Sequence, residues 1–594
     1  MVQTTRRRLI AALLLLWALP AGAQRLVIVS FDGLGAETFF DDPVAAELTV
    51  LRRTALRGAA SRGVQPAFPS TTANSHAALW TGCYGDANHI TANAPPVLPR
   101  AEHTAAERGN GFRAEQLAVE TFWVAAARAG IPSVAHQPTQ GYPFTRFNSA
   151  PGAVVVNGYQ TRLLAPHALW TPATGKRMPD GSYLFEHGAA SFRVVAGKRS
   201  VRVTLTSGRQ SVNVPYAPVE SEPPRERALA RRFSAPLLVE SPVPAALYFR
   251  LFEIGESGFR LYVTPWHELG SSVPLEKIFR EAGGFIGNGP AALLDKRLIS
   301  EAEYLEAMEL VIRQMTRHAA WLERKFKPRL MQSYLPFPDE IDHMWLPAAR
   351  SGDAQAREWR RWGYIAIDRG AAEFARLAAD KNKDHLLWVS DHGMAAVSKL
   401  VSIPAALRQA GLDGKAAYLY HSILVNTTDW KEGVVPPAGR DVVVEQAQRA
   451  LAQVEGIVSF FTPASDGERY GIGGPAGGDL YFDFAPGYGA SSRESADAVS
   501  AVRPRGAHGF LPSRRDMQSI CIAAGPRIPA GVLWPEFRII DIAPMIAELL
   551  GFPAPPTFRG RSPIEFQRQG VSSRSRLPDR VAPERPGLTR HGLH

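Results

Sequence analysis

Only two cysteines, Cys83 and Cys521, occur in 594 residues. Neither has another cysteine close by in sequence, which excludes a thiolate metal site and a dense disulfide framework. The two thiols either pair in an oxidising compartment or stay free and buried. Long apolar runs are also missing beyond the N-terminus, so no later segment offers the ~20 residues a membrane-spanning helix needs. Charge of one sign is scarce in the body of the chain. The formal net charge is +11, but Arg6, Arg7 and Arg8 supply three of those charges, and the tail from residue 566 holds six arginines against Asp579 and Glu584. A nearly balanced body argues against a dedicated polyanion binder, and no nucleic-acid partner is expected. The glycine-rich stretch 471–478 lacks the lysine and the spacing of a phosphate-binding P-loop.

What is present begins with a leader. Residues 1–23 read as a signal peptide: a basic start, an apolar run over 9–19, and Ala21-Gly22-Ala23 ahead of Gln24. The rival reading, an uncleaved anchor, is disfavoured by the shortness of that run. The mature protein is expected to be secreted or periplasmic, without stable insertion in a membrane.

From residue 24 to 151 apolar strands alternate with helical texture. Arg25-Leu26-Val27-Ile28-Val29-Ser30 runs into Phe31-Asp32-Gly33, and a helix over 120–130 precedes the strand Ile131-Pro132-Ser133-Val134-Ala135. Residues 152–274 change character. Period-two runs at 191–195, 200–205 and 211–215, separated by glycine-containing turns, spell hairpins and predict a β-rich insertion. From 275 to 566 the α/β texture returns, with a capping box at Ser300-Glu301-Ala302-Glu303, a helical stripe to Phe326, a second helix over about 359–381 and a last one from Asp541 to Leu550. The tail 567–594 is basic, rich in Pro and Arg, and expected to be disordered. The fold class is therefore α/β, a central mostly parallel sheet flanked by helices and interrupted by a β-rich insertion.

The chemistry-bearing residues sit at strand ends or in glycine-flanked loops: Asp32, Asp339 with His343, Asp391 with His392, and His508. Each alone has an ordinary structural explanation, as a turn cap or a core histidine. Together they form a carboxylate and imidazole set without thiolates, which suits Zn²⁺ or a similar divalent ion in an open catalytic site. Three adjacent hydroxyls, Ser70, Thr71 and Thr72, precede a helix-compatible run through Trp80. A helix N-terminus there would favour an anion. His267 is expected to be a core residue.

The ordered motifs Val29-Ser30-Phe31-Asp32-Gly33, Thr72-x-x-x-His76 with Thr81-Gly82, Pro338-Asp339-x-x-x-His343, Ser390-Asp391-His392-Gly393, Gly506-Ala507-His508-Gly509 and Asp541-Ile542-Ala543-Pro544 resemble the alkaline phosphatase superfamily, and within it the type I phosphodiesterase/nucleotide pyrophosphatase family. The resemblance implies an alkaline-phosphatase-like fold and two divalent metals, expected as Zn²⁺. One would be held by Asp339, His343 and His508, and the other by Asp32, Asp391 and His392 with Thr72. It also implies Thr72 as nucleophile, activated by coordination, and Asn93 as the holder of a phosphoryl oxygen. The expected reaction is hydrolysis of a small-molecule phosphodiester or pyrophosphate through a phosphothreonine. Two metals about 4 Å apart suit such phosphoryl transfer.

Two departures qualify the resemblance. Asn74-Ser75 stands where the family's diesterases carry Pro-Asn before the histidine. Ala135-His136-Gln137-Pro138-Thr139 lacks the Lys-x-Arg pair with which a related monoesterase branch grips an extra phosphate charge, which favours a diester. The opening motif also lacks the Cys/Ser-x-Pro-x-Arg context of sulfatases. The alternatives are an alkaline phosphomonoesterase of the same superfamily and a binding protein that keeps the ligands without turnover.

Overall fold

The computed structural model describes residues 24–568 except 209, 221–222, 224–231, 241, 381 and 494–496; the expected leader over 1–23 and the expected disordered tail beyond 568 lie outside the described residues. Its centre is a nine-stranded sheet. In chain order its strands are β1 (Arg25–Phe31), β2 (Ala59–Ser61), β3 (Ser133–His136), β4 (Ala153–Asn157), β5 (Gly270–Ser271), β6 (Leu330–Leu335), β7 (Asp384–Ser390), β8 (Cys521–Ala524) and β9 (Val532–Trp534), and in space they run β5-β4-β3-β6-β1-β7-β8-β2-β9. The five from β4 to β7 are mutually parallel, while β5 and β8 run against them. This is the mostly parallel α/β sheet that the sequence predicts.

The apolar spelling of β1 follows from burial on both faces. Val27, Val29 and Phe31 join one core with the long helices, whereas Leu26 and Ile28 join a second core on the opposite face. The helices that matter for the site are α1 (Thr72–Thr81), α2 (Glu301–Phe326), α3 (Asp339–Arg350), α4 (Ala354–Ala375) and α5 (Ile542–Leu550). Helix α2 starts with the expected capping box between Ser300 and Glu303. Its stripe of Leu305, Met308, Ile312, Met315, Ala319 and Leu322 packs into the first core. Helix α4 is shifted toward the N-terminus of the expected span, because the Asp353 side chain caps it by accepting from the Ala356 N–H.

Between β4 and β5 the chain forms small antiparallel sheets. Hairpin strands Tyr183–His187, Ala190–Ala196, Ser200–Leu205 and Ser211–Pro215 lie in one five-stranded sheet, whose inner face packs with Trp170, Phe249, Leu261 and Trp266. A buried ion cluster ties this region to α2. Glu306 receives Arg250 Nε at 2.9 Å and also pairs with Arg232. Cys83 and Cys521 are both buried and are not joined to each other.

Candidate active site

Strand register brings the first three ligand candidates together. Phe31 of β1 pairs with Ser390 of β7 and with Leu335 of β6, so Asp32, Asp391 and the turn into Asp339 leave the same end of the sheet. That end, beyond the carboxyl termini of parallel strands, is where open α/β sheets place their ligands. The Asp339 N–H donates to the Asp32 carbonyl at 2.9 Å, which locks the start of α3 to the end of β1. Gly33 makes this approach possible. Its φ is +75°, and a Cβ there would lie 2.8 Å from the Asp339 Cα.

Two groups result. In the first, His392 Nε2 stands 3.4 Å from Asp32 Oδ1 and 3.2 Å from Asp391 Oδ2, and all three residues are buried. In the second, Asp339 Oδ2 stands 3.4 Å from His343 Nε2, one helical turn along α3, and Asp339 Oδ1 lies 3.7 Å from His508 Nε2. The His392 and His508 rings stack with centroids 3.8 Å apart, so the groups share a wall. Gly506 permits α3 to approach the strand that delivers His508, since a Cβ there would meet the Asp342 carbonyl oxygen at 2.4 Å.

The histidines share one hydrogen-bond habit. Nδ1 of His343 faces the Gly506 carbonyl at 2.7 Å, Nδ1 of His392 the Gly393 carbonyl at 2.9 Å, and Nδ1 of His508 the Ser70 carbonyl at 3.1 Å. A carbonyl only accepts, so each Nδ1 carries the hydrogen and each Nε2 turns its lone pair toward the carboxylates. Burial, together with the His392 and His343 rings, holds His508 well below the ordinary histidine pKa, hence neutral.

The hydroxyls separate. Thr72 Oγ1 lies 3.1 Å from His392 Nε2 and 3.5 Å from Asp32 Oδ1. Ser70 instead donates to the Phe510 carbonyl at 2.7 Å, and Thr71 occupies the N-cap position of α1 without making a capping bond. The N–H that such a cap would serve, that of Ala73, donates to Asn93 Oδ1 at 2.8 Å. Asn93 thus caps α1 from twenty residues away, and its engaged oxygen leaves the NH₂ as the available donor. His76 pins the same helix: Nδ1 donates to the Thr72 carbonyl at 3.0 Å and lies 3.2 Å from Asp391 Oδ2, while Nε2 meets Ser30 Oγ at 2.7 Å.

The donor set fits divalent cations on two counts. Asp339 Oδ1 and Asp391 Oδ2 are buried and receive no hydrogen bond, although nitrogens stand within 3.2–3.7 Å of them. Buried acceptors left this way are uncommon and expensive. Three carboxylates also crowd one buried end of the sheet. Burial pushes Asp32 well above the ordinary carboxylate pKa, with Asp391 and Asp339 adding to the shift; Asp339 is raised as well, chiefly by burial. Asp391 goes the other way: burial raises it, but His392 and His76 outweigh that and hold it low. A cation at each group would satisfy both the orphaned oxygens and the crowded charge.

A family model described as type I phosphodiesterase/nucleotide pyrophosphatase matches residues 26–177 and 270–511. The chain belongs to this family. It is accordingly a metal-dependent hydrolase of the alkaline phosphatase superfamily that acts on small-molecule phosphodiesters. Solved structures of similar fold include human ectonucleotide pyrophosphatase/phosphodiesterase 5, at 14% identity and TM-score 0.50 over 92% of this chain and 99% of that one. The murine counterpart has 14% identity and TM-score 0.48 over 90% and 96%. No protein of curated function matches the sequence. Among the described residues no helix is long and apolar enough to cross a membrane.

Two neighbours of the phosphodiesterase site carry no role in the sequence reading. The Tyr334 hydroxyl donates to Asp32 Oδ2 at 2.5 Å. Its only sequence signal is a polar-tipped ring within a strand, β6, that is buried throughout. His76 stands inside the quoted motif, but the i,i+4 step from Thr72 on α1 is what explains its reach to the Thr72 carbonyl. His267 belongs to neither ligand group and packs edge-on against Phe285 at 5.5 Å.

Proposed function

We propose that this protein is an exported phosphodiesterase that cleaves phosphodiester or pyrophosphate bonds in two displacements through a phosphothreonine at Thr72. The reading includes two divalent cations, Zn²⁺ by donor chemistry, one held by Asp32, Asp391, His392 and Thr72 and the other by Asp339, His343 and His508. The observation that carries it is the position of Thr72 Oγ1, at the first residue of α1 and beside both His392 Nε2 and Asp32 Oδ1. Bound cations would lower the pKa of the threonine hydroxyl and neutralise charge on the phosphoryl oxygens.

In the first displacement a bond forms between Thr72 Oγ1 and phosphorus as the bond to the leaving oxygen breaks. In the second, water attacks the same phosphorus from the vacated side and Thr72 is released. The N-terminus of α1 faces the negative charge that develops. Asn93, its carbonyl oxygen fixed by the Ala73 N–H, offers its NH₂ to a non-bridging oxygen. His76 holds the Thr72 backbone against Asp391 and so fixes the line of attack.

The preference for a diester rests on the end of β3 and the residues after it. His136, the last residue of β3, is buried against Ser333 Oγ at 2.8 Å, and Gln137 accepts from the Gly158 N–H at 2.7 Å, so these residues bring no cation to grip a second phosphate charge. The reading of 152–274 as an insertion into a catalytic domain made of 24–151 and 275–566 is supported by the separate sheets formed between β4 and β5, whereas β4 and β5 themselves belong to the central sheet. Thr72→Ala should abolish hydrolysis of bis-aryl phosphate while metal content by elemental analysis stays intact. Retained turnover, or the absence of a phosphothreonine from quenched wild-type enzyme in peptide mass spectra, would overturn the mechanism.

A further inference from the structure

The excess positive charge of the body is concentrated in one short stretch of the β-rich segment. Residues 176–209 contain Lys176, Arg177, Arg193, Lys198, Arg199, Arg202 and Arg209 against only Asp180 and Glu186. That surplus exceeds the whole net charge left between leader and tail, so the remainder of the body is slightly acidic.

Lys176, Arg193 and Arg202 lie on one solvent-exposed face of the five-stranded sheet. Its order is Ser211–Pro215, Ser200–Leu205, Ala190–Ala196, Tyr183–His187, Lys176–Arg177. Cross-strand pairs point to the same side. Lys176 pairs with Leu184, which pairs with Arg193, and Arg202 pairs with Val195 and with Asn213. The alternate residues Phe192, Val194, Val201 and Val203 fill the core beneath. Lys198 and Arg199 sit at the exposed turn between the two central strands. Arg193 pairs with Asp180 at 2.7 Å, whereas Lys176, Lys198, Arg199 and Arg202 have no ion pair among the described residues. Val195, beside Arg202, is 47% exposed.

We propose that this face docks the protein peripherally on an anionic phospholipid bilayer. Several unpaired Lys and Arg side chains on a broad face, with an exposed aliphatic residue among them, match the charge and the interfacial character of such a surface. A single-stranded nucleic acid fits less well, because the aromatic residues Phe185 and Phe192 point inward and leave no ring for base stacking. The surface lies on the β-rich segment and includes none of the site residues, so docking and hydrolysis are separable.

Co-sedimentation of the purified full chain with vesicles of phosphatidylcholine alone, or with a large share of phosphatidylglycerol, tests the proposal. Binding is expected only to the anionic vesicles, weakening as salt is raised. A K176E/K198E/R199E/R202E variant, with an unchanged melting temperature, should lose binding at least a hundredfold, at about fivefold or more per cation. The single substitution Arg202→Glu should lie between. Equal binding to neutral vesicles, undiminished binding of the quadruple variant, or preference for a DNA oligonucleotide over the anionic vesicles would overturn it.

Discussion

Tyr334 donates its hydroxyl to Asp32 Oδ2 across 2.5 Å, from a ring that is itself buried against His76 and Tyr159. The bond leaves Asp32 Oδ1 as the oxygen that faces Thr72 and His392. Outer bonds of this kind orient a ligand and commonly contribute about 10–100-fold to metal affinity. Tyr334→Phe should therefore weaken metal retention by that factor in competition with a chromogenic chelator, while keeping the ring packing. Retention equal to wild type would show that Asp32 needs no such support.

The two ligand groups differ in shelter. The His343 side chain is 38% exposed, whereas those of His392 and Asp391 are fully buried. Burial slows ligand exchange and entry of a chelator. Under excess chelator, metal release is expected in two phases, one equivalent leaving quickly from the group of Asp339, His343 and His508. His343→Ala should remove the fast phase and leave the slow one; loss of both phases together would refute the assignment.

Acid should destabilise the fold through histidines remote from catalysis. Burial depresses His187, His267, His318 and His385 from 6.5 to about 4. As pH falls below 6.5 the unfolded chain binds protons that the folded chain refuses. The stability these groups contribute is therefore present above 6.5 and lost progressively toward pH 4, at about 1.4 kcal/mol per pH unit for each group at most. His318 donates to the Gly283 carbonyl at 2.9 Å, a bond glutamine can imitate. In urea unfolding of metal-stripped protein between pH 6.5 and 5, His318→Gln should reduce the slope of stability against pH by about one such increment. An unchanged slope would place the acid sensitivity elsewhere.

Much of the architecture was legible locally. The continuous apolar runs of β1 and β7 announce strands buried on both faces, and the capping box at Ser300 with the stripe through Leu322 announces α2. Helix α3 was not announced. Asp339 reads as an acid after a strand, yet it opens a helix whose next turn carries His343. Thr71 takes the N-cap position of α1 but makes no capping bond, and Asn93 arrives from outside the segment to take the Ala73 N–H.

The residue chemistry of the site, its chain order and the α/β class come from the sequence by itself, since strand ends, period and side-chain type are local properties. The tertiary structure alone decides which groups meet. Asp32 is joined to Tyr334, Asp391 and His392 across some three hundred residues or more by the strand order β6-β1-β7. It also decides that three imidazoles surrender Nδ1 to backbone carbonyls and keep Nε2 free, that Thr72 rather than its two neighbours reaches the carboxylates, and that one ligand group is shielded while the other meets solvent. The physical reason is that hydrogen-bond partners and burial depend on distances between strands, and no local pattern encodes the order in which strands assemble.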